Sequence, residues 1–237
     1  MSQNQVIGII GAMDEEVEIL KSKLNIVETI TEAGMTFYKG SLHNKQIILA
    51  RSGIGKVNAA VCAQIMSTLF KIDYLINSGV AGTLCPDINQ GDIVISTDAV
   101  QHDVDTTVFG DPLGCIPRLG VTFFKANSDL ITLAEKAGDS LKAEGVSFFK
   151  GRIASGDQFI AGGALKDHIQ KNFAPYAVEM EGAAIAHVAY LNQVPYVILR
   201  AISDKADGSA ELSYEEFLPL AASRVSTLVE EMIKQLN

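Results

Sequence analysis

An α/β fold is predicted for this 237-residue chain by three observations. Short apolar runs of strand length, such as Val6–Gly11 and Val194–Leu199, recur between longer segments of helical periodicity. Several of these runs are apolar throughout rather than alternating, as strands covered on both faces are. Polar residues gather where the runs end, as in Arg200-Ala201-Ile202-Ser203-Asp204, and ligands of open α/β sheets bind beyond the carboxyl ends of the strands. With 48% hydrophobic and 20% charged residues, the chain can bury a sizeable core as one large domain spanning 1–237.

In chain order, Val6–Gly11 reads as a buried strand, and Asp14, Glu15 and Glu16 suit the first turn of the helix after it. Gly8 and Gly11 do not make a dinucleotide fingerprint, because the third glycine is missing and acids occupy the turn where pyrophosphate needs bare amides. From Ile26 to Ser52, alternating segments turning around Asn25, Gly34 and Asn44 predict antiparallel strands. Ser52-Gly53-Ile54-Gly55-Lys56 opens a helix through Leu69. It fails as a P-loop, since Val57 replaces the metal-binding hydroxyl and Ala50 the first glycine, which leaves a turn whose amides can face a small ligand.

Asp73–Gly82 is a buried strand ending in Gly79-Val80-Ala81-Gly82, whose two glycines serve either a tight turn or the close approach of a ligand. A strand from Gly91 leads into a long loop, His102 to Arg118, whose Phe109, Pro112 and Pro117 suit a lid or a subunit contact. The spacing of His102, Asp103 and Asp105 matches no standard metal site. A helix is expected over Asn127–Glu144 with Ser128 as its cap, followed by a strand from Phe148. That strand passes into a loop where Phe159 is either core or a ring placed to stack on a flat base. After a short helix to Phe173 and the strand Val194–Leu199, an amphipathic helix capped by Ser213 runs to the terminus.

Between the short helix and the strand Val194–Leu199 lies the most unusual run, Val178-Glu179-Met180-Glu181-Gly182, with two carboxylates at the mouth of an apolar helix. Such acids either complement the helix dipole, whose amides suit an ionised Glu181, or face a ligand together with Asp204. Glu16 carries the same two readings. The net charge of −9, without clustered Lys or Arg, argues against nucleic acid as a partner. Cys62, Cys85 and Cys115 suggest neither disulfides nor zinc. No basic leader or membrane-length apolar run is evident, so a cytoplasmic location and no membrane partner are expected.

Taken together, the Gly8–Glu16, Ser52–Val57, Ser155–Ile160, Val178–Glu181 and Arg200–Asp204 stretches resemble those of the bacterial 5′-methylthioadenosine/S-adenosylhomocysteine nucleosidases, in the same order and nearly end to end. The resemblance implies a three-layer α/β/α sandwich around a mixed central sheet, of the nucleoside phosphorylase type. It also implies a homodimer and hydrolysis of an N-glycosidic bond to release adenine, without metal or cofactor. By position it implies that Glu16 deprotonates the attacking water with Arg200 beside it, and that Asp204 gives a proton to purine N7. Glu181, next to Glu179, would accept from the ribose hydroxyls; Met180 would pack on the sugar, Phe159 on adenine, and the Ile160 backbone would read the base edge. Met13, Ile54 and Tyr214 match positions around the sugar and its 5′ substituent, in a site that Val80 and Gly82 help to line. Phe109 and Pro117 match a loop that reaches into the partner's site.

The chemistry calls for these residue types in any case: an anionic leaving purine needs an acid, and an oxocarbenium-like sugar needs a water presented by a base. Asp204 is therefore expected to be protonated, favoured by burial, and Glu16 to be ionised beside Arg200. Val80 departs from the family, where many members have a serine that helps to place the water. The related hexameric phosphorylases have Arg at the position of Asn77 and a hydroxyl at that of Val80, both used on phosphate, so water is expected as the nucleophile. A non-enzymatic adenosine binder would have no use for Glu16. An AMP nucleosidase would add basic residues where this chain has an apolar 5′ pocket, and futalosine-type nucleosidases are the other near rivals.

Overall fold

The structure, a computed structural model, describes residues 5–206 and 210–236, without the side chains of 210–213. A ten-stranded mixed sheet runs through it. The elements are β1 (Val6–Gly11), α1 (Asp14–Lys23), β2 (Asn25–Glu32), β3 (Met35–Leu42), β4 (Lys45–Arg51), α2 (Lys56–Thr68), β5 (Tyr74–Thr83), β6 (Ile93–Gln101) and β7 (Phe124–Lys125). They continue as α3 (Ser128–Ala137), α4 (Asp139–Ala143), β8 (Phe148–Ser155), α5 (Gly163–Phe173), β9 (Ala177–Glu179), α6 (Gly182–Asn192), β10 (Tyr196–Asp204) and α7 (Ala210–Gln235).

The predicted antiparallel segment is the β2–β3–β4 meander, joined to the rest by the parallel β4–β1 and β1–β5 pairs. Beyond β5 the sheet departs from a simple open ribbon. β5 pairs with β10 over most of its length and with β9 at its last residues, while β10, β6, β8 and β9 pair in succession. These five strands therefore close on themselves. Gly82 is the register partner of both Asp204 and Val178, and a bulge in β10 between Ile202 and Asp204 re-aims the end of that strand, as bulges beside sites do.

Helices cover both faces. Val17 and Leu20 of α1, Leu130 and Ala134 of α3, and Val225, Leu228 and Met232 of α7 pack with Ile7, Ile9, Ile76 and Leu199 on one side. On the other, Ala59, Cys62 and Met66 of α2 and Ala183, Ile185 and Ala186 of α6 pack with Ile10, Leu75 and Ile198. The near-continuous apolar reading of β1, β5 and β10 is explained by this two-sided cover.

Local expectations need four corrections. Asn25 opens β2 rather than making a turn. Asn127, not Ser128, caps α3, its side chain accepting from the Asp129 and Leu130 amides at 3.0 Å each. The helix expected to reach Glu144 breaks at Gly138, where a β-carbon would meet the Phe148 ring at 2.7 Å. α7 starts at Ala210, so Ser213 lies inside its first turns rather than at its cap; the Ser213 side chain is outside the described residues. Leu228 is fully buried between α7 and the sheet. Leu228→Ala is expected to cost about 2–5 kcal/mol, read as a lower urea midpoint at unchanged slope.

Candidate active site

A cavity of about 320 Å³ opens at the carboxyl ends of β1, β5 and β10, within the range of small-molecule sites. Its walls include Met13, Glu16, Ile54, Val80, Gly82, Phe159, Ile160, Glu179, Met180, Glu181, Asp204 and Tyr214, all singled out in the sequence. Ala12, Ala81, Gln158, Val178 and Ser203 complete it. Small and aliphatic residues beside a strand end carry no chemical signal of their own, so only their neighbours mark them. Arg200 is not on the wall: it is 2% exposed and lies in the interior of β10.

Glu16 combines its two readings. Its Oε2 accepts from the Ala12 and Met13 amides at 2.6 and 3.1 Å, closing a capping box at the start of α1, and its Oε1 accepts from the Val80 amide at 2.9 Å. It caps the helix and still lines the cavity. Burial is the largest influence and raises its pKa, against the lowering effects of Arg200 and the three amides. The balance thus differs from an acid kept ionised mainly by Arg200. Arg200 is the strongest of the lowering influences but is outweighed by burial; its Nη2 donates to Glu179 Oε2 and, at 2.5 Å, to Asn77 Oδ1.

Glu179 is the acid held by the helix, accepting from the Glu181 and Gly182 amides at 3.2 and 2.8 Å and from the Ser155 hydroxyl as well as from Arg200. The dipole reading fits Glu179 rather than Glu181. Glu181 instead accepts from the Gly55 amide at 2.8 Å, and burial first, then the neighbouring Glu179, push its carboxyl up to about 7. Asp204 is 1% exposed; its Oδ1 accepts from the Ala206 amide at 2.8 Å and the Ser203 hydroxyl donates to its Oδ2 at 2.9 Å.

Neither Gly79 nor Gly82 has a positive φ, so no left-handed turn requires them, and Gly82 lines the cavity. A β-carbon on Gly79 would lie 2.9 Å from Glu16 Cδ and 3.2 Å from Arg200 Nη1, and one on Gly82 would lie 2.6 Å from Asp204 Oδ1. β5 thus gives up two side chains so that two acids of the chain itself can sit against its backbone.

The turn before α2 likewise spends its amides on protein carboxylates. Gly55 donates to Glu181, and the Lys56 amide donates to Asp157 Oδ1 at 2.8 Å. The Lys56 ammonium pairs with Asp103 at 2.6 Å, and Asp103 accepts from the Asp157 amide at 3.1 Å. This clamp ties the ribose-facing candidate Glu181 to the loop that carries Phe159. With 49% of its surface exposed, Phe159 is not core; its ring meets Tyr214 edge-on, centroids 5.9 Å apart. Asp105 accepts from Thr107, and the buried His102 ring lies over Gly156. Among the described residues no three His, Cys, Asp or Glu side chains are grouped to hold a metal ion. Phe109, 85% exposed, and the exposed Pro117 do not line the cavity of their own chain.

Comparison with known proteins follows the same lines. The family model of the phosphorylase superfamily matches residues 6–234. The 5′-methylthioadenosine/S-adenosylhomocysteine nucleosidase of Psychromonas ingrahamii is 47% identical over 98% of this chain and 99% of its own, and that of Staphylococcus carnosus is 44% identical over 98% and 100%. Among solved structures, the Neisseria meningitidis nucleosidase in complex with methylthio-immucillin-A superposes with a TM-score of 0.93 at 39% identity, covering 98% of this chain and 100% of that one. The futalosine hydrolase of Helicobacter pylori reaches 0.92 at 38% identity, covering 98% and 99%.

Gly79→Ala is expected to lower kcat at least tenfold, because the new methyl group displaces the Glu16 carboxyl; fold integrity is checked by circular dichroism alongside the assay. Glu181 yields a pH test. Its carboxyl, raised from 4.5 to about 7, contributes stability that is complete below pH 4.5 and lost as the pH rises through 7. Glu181→Gln keeps an acceptor for Gly55 and removes the titration, so at pH 8 the variant is expected to be about 1–3 kcal/mol more stable than the parent, with the difference vanishing toward pH 4.5 in urea titrations.

Proposed function

The chain belongs to the phosphorylase superfamily and, within it, to the 5′-methylthioadenosine/S-adenosylhomocysteine nucleosidases, and from that premise we propose how its residues release adenine. It is an N-glycosyl hydrolase whose substrates are 5′-methylthioadenosine and S-adenosylhomocysteine, and whose products are adenine and the 5′-thio-substituted ribose. The observation that carries the mechanism is the placing of two buried acids, Glu16 and Asp204, in one cavity against the backbone of one strand.

As the C1′–N9 bond breaks, its electron pair passes into the purine and Asp204 delivers a proton to N7. Water attacks C1′ from its place at Glu16, which takes the water proton as the new C–O bond forms. The raised pKa of Glu16 makes its carboxylate a stronger base than an exposed one. Glu181 accepts from the ribose hydroxyls, Met180 packs on the sugar, Phe159 stacks on adenine and the Ile160 backbone reads its edge. Met13, Ile54 and Tyr214 surround the 5′ group. The ionised carboxylate of Glu16 on the cavity wall favours the positive charge developing on the sugar.

Water is favoured over phosphate as the nucleophile because a phosphate dianion needs a free cation. The Arg200 guanidinium is taken up by Glu179 and Asn77, the Asn77 amide donates to the Ile10 carbonyl at 3.0 Å, and Val80 brings no hydroxyl. Water placement without that hydroxyl falls to Glu16, whose carboxylate the Val80 amide holds. The mechanism uses no metal or cofactor. A homodimer belongs to the same proposal, in which Phe109 and Pro117 close the partner's 5′ pocket; the exposed apolar pair Val108 and Phe109 supports it. A place in methionine salvage and a cytoplasmic location belong to the same proposal.

Glu16→Gln and Asp204→Asn are each expected to lower kcat about 10²–10⁴-fold in an adenine-release assay. Parent activity should be the same in phosphate-free buffer, and 5-methylthioribose 1-phosphate among the products of 5′-methylthioadenosine would favour the phosphorylase reading. Since Glu16 must be ionised to accept the water proton, kcat/KM should fall with decreasing pH through a limb lying above the 4.5 of an ordinary glutamate. In Glu16→Asp, which changes the burial of the carboxyl, that limb should move.

A further inference from the structure

Resting on the nucleosidase reading of the cavity and going beyond it, we infer that the Tyr214 hydroxyl reads the 5′ substituent, favouring nucleosides with a hydrogen-bond-accepting oxygen there over those with only carbon. α7 brings Tyr214 to the cavity wall, where its ring meets Phe159 edge-on at an interplanar angle of 81°. Its hydroxyl donates to Met13 Sδ at 3.1 Å. A thioether is a weak acceptor, so this hydroxyl rests on a partner that a ligand oxygen displaces at little cost.

The contact thus poises a donor rather than satisfying it. Beside the apolar side chains of Met13 and Ile54, the phenol oxygen is the polar atom that Tyr214 brings to the 5′ end. Phenylalanine in place of Tyr214 would keep the ring and lose only that atom. Burial first, then the charges of Glu16, Glu15, Glu181 and Asp204, push the phenol up to about 12, so it remains a donor across the working range of pH. A 5′-hydroxyl offers it an oxygen lone pair, a methylthio group a second weak sulfur acceptor, and a 5′-methyl group nothing.

The test compares kcat/KM for adenosine, 5′-methylthioadenosine and 5′-deoxyadenosine in the parent enzyme and in Tyr214→Phe. The ratio of adenosine to 5′-deoxyadenosine should fall about three- to tenfold in the variant, the size of one neutral hydrogen bond, with a smaller fall for methylthioadenosine over 5′-deoxyadenosine. A ratio that stays within about twofold overturns the inference even if both rates drop. Met13→Leu supplies an independent reading, because it removes the resting partner and leaves the hydroxyl: the same ratio should rise, and a ratio that is unchanged or lower also overturns the inference. If the parent released adenine from none of the three nucleosides, the nucleosidase reading itself would fail, a result distinct from either of these.

Discussion

Placing four carboxylates around one small cavity is the constraint on which the rest of the structure depends. A buried acid costs several kcal/mol unless it is hydrogen-bonded or paired. Glu179 takes the buried guanidinium of Arg200, a hydroxyl and two helix amides. Glu16 receives three backbone amides and Glu181 one, together with an unfavourable share of burial that lifts both toward the protonated form. One strongly paired acid thereby organises the backbone for neighbours that are left reactive. The segments that supply the amides are the turns 12–13 and 55–56, the end of β5 and the start of α6, and these also shape the walls.

The same arrangement separates hydrolysis from phosphorolysis. A site for inorganic phosphate requires an uncommitted cation, and the guanidinium nearest this cavity is committed twice over, to Glu179 and to Asn77. An asparagine at position 77 thus does more than remove a charge, since its carbonyl oxygen helps to hold Arg200 below the wall while its amide ties β5 to β1 through Ile10. Electrostatic attraction for an oxocarbenium-like sugar remains without a competing pull on an anion.

Much of this was legible in the sequence because acids at strand ends and helix mouths stand out against apolar runs. Glu16, Glu181 and Asp204 come together as their placement implied, and β1, β5 and β10 lie where apolar runs put them. What stayed hidden depends on pairing partners distant in the chain. Arg200 sits one residue past an apolar run and looks like a wall residue, whereas the register of β10 on β5 turns it inward against Gly79. The roles of Glu179 and Glu181 were interchangeable in sequence, being two residues apart, until the Gly55 turn claimed one of them. Gly138 divided a helix whose periodicity ran on unbroken, because only the tertiary fold brings Phe148 against it. The closure of β5, β10, β6, β8 and β9 likewise rests on two short antiparallel contacts that leave no trace in hydrophobic periodicity.

β5 carries both bare positions, 79 and 82, three residues apart, which at the rise of a strand is roughly 10 Å. Glu16 and Asp204 each therefore meet β5 at a fixed point of its backbone, left open by a missing side chain. Lengthening or shortening the distance between these points would need an insertion or deletion in a strand paired with β1, β10 and β9 at once, shifting three registers together. Rim residues such as Ile54, Phe159 and Tyr214 come instead from a turn, a loop and α7, and can change without touching those three registers.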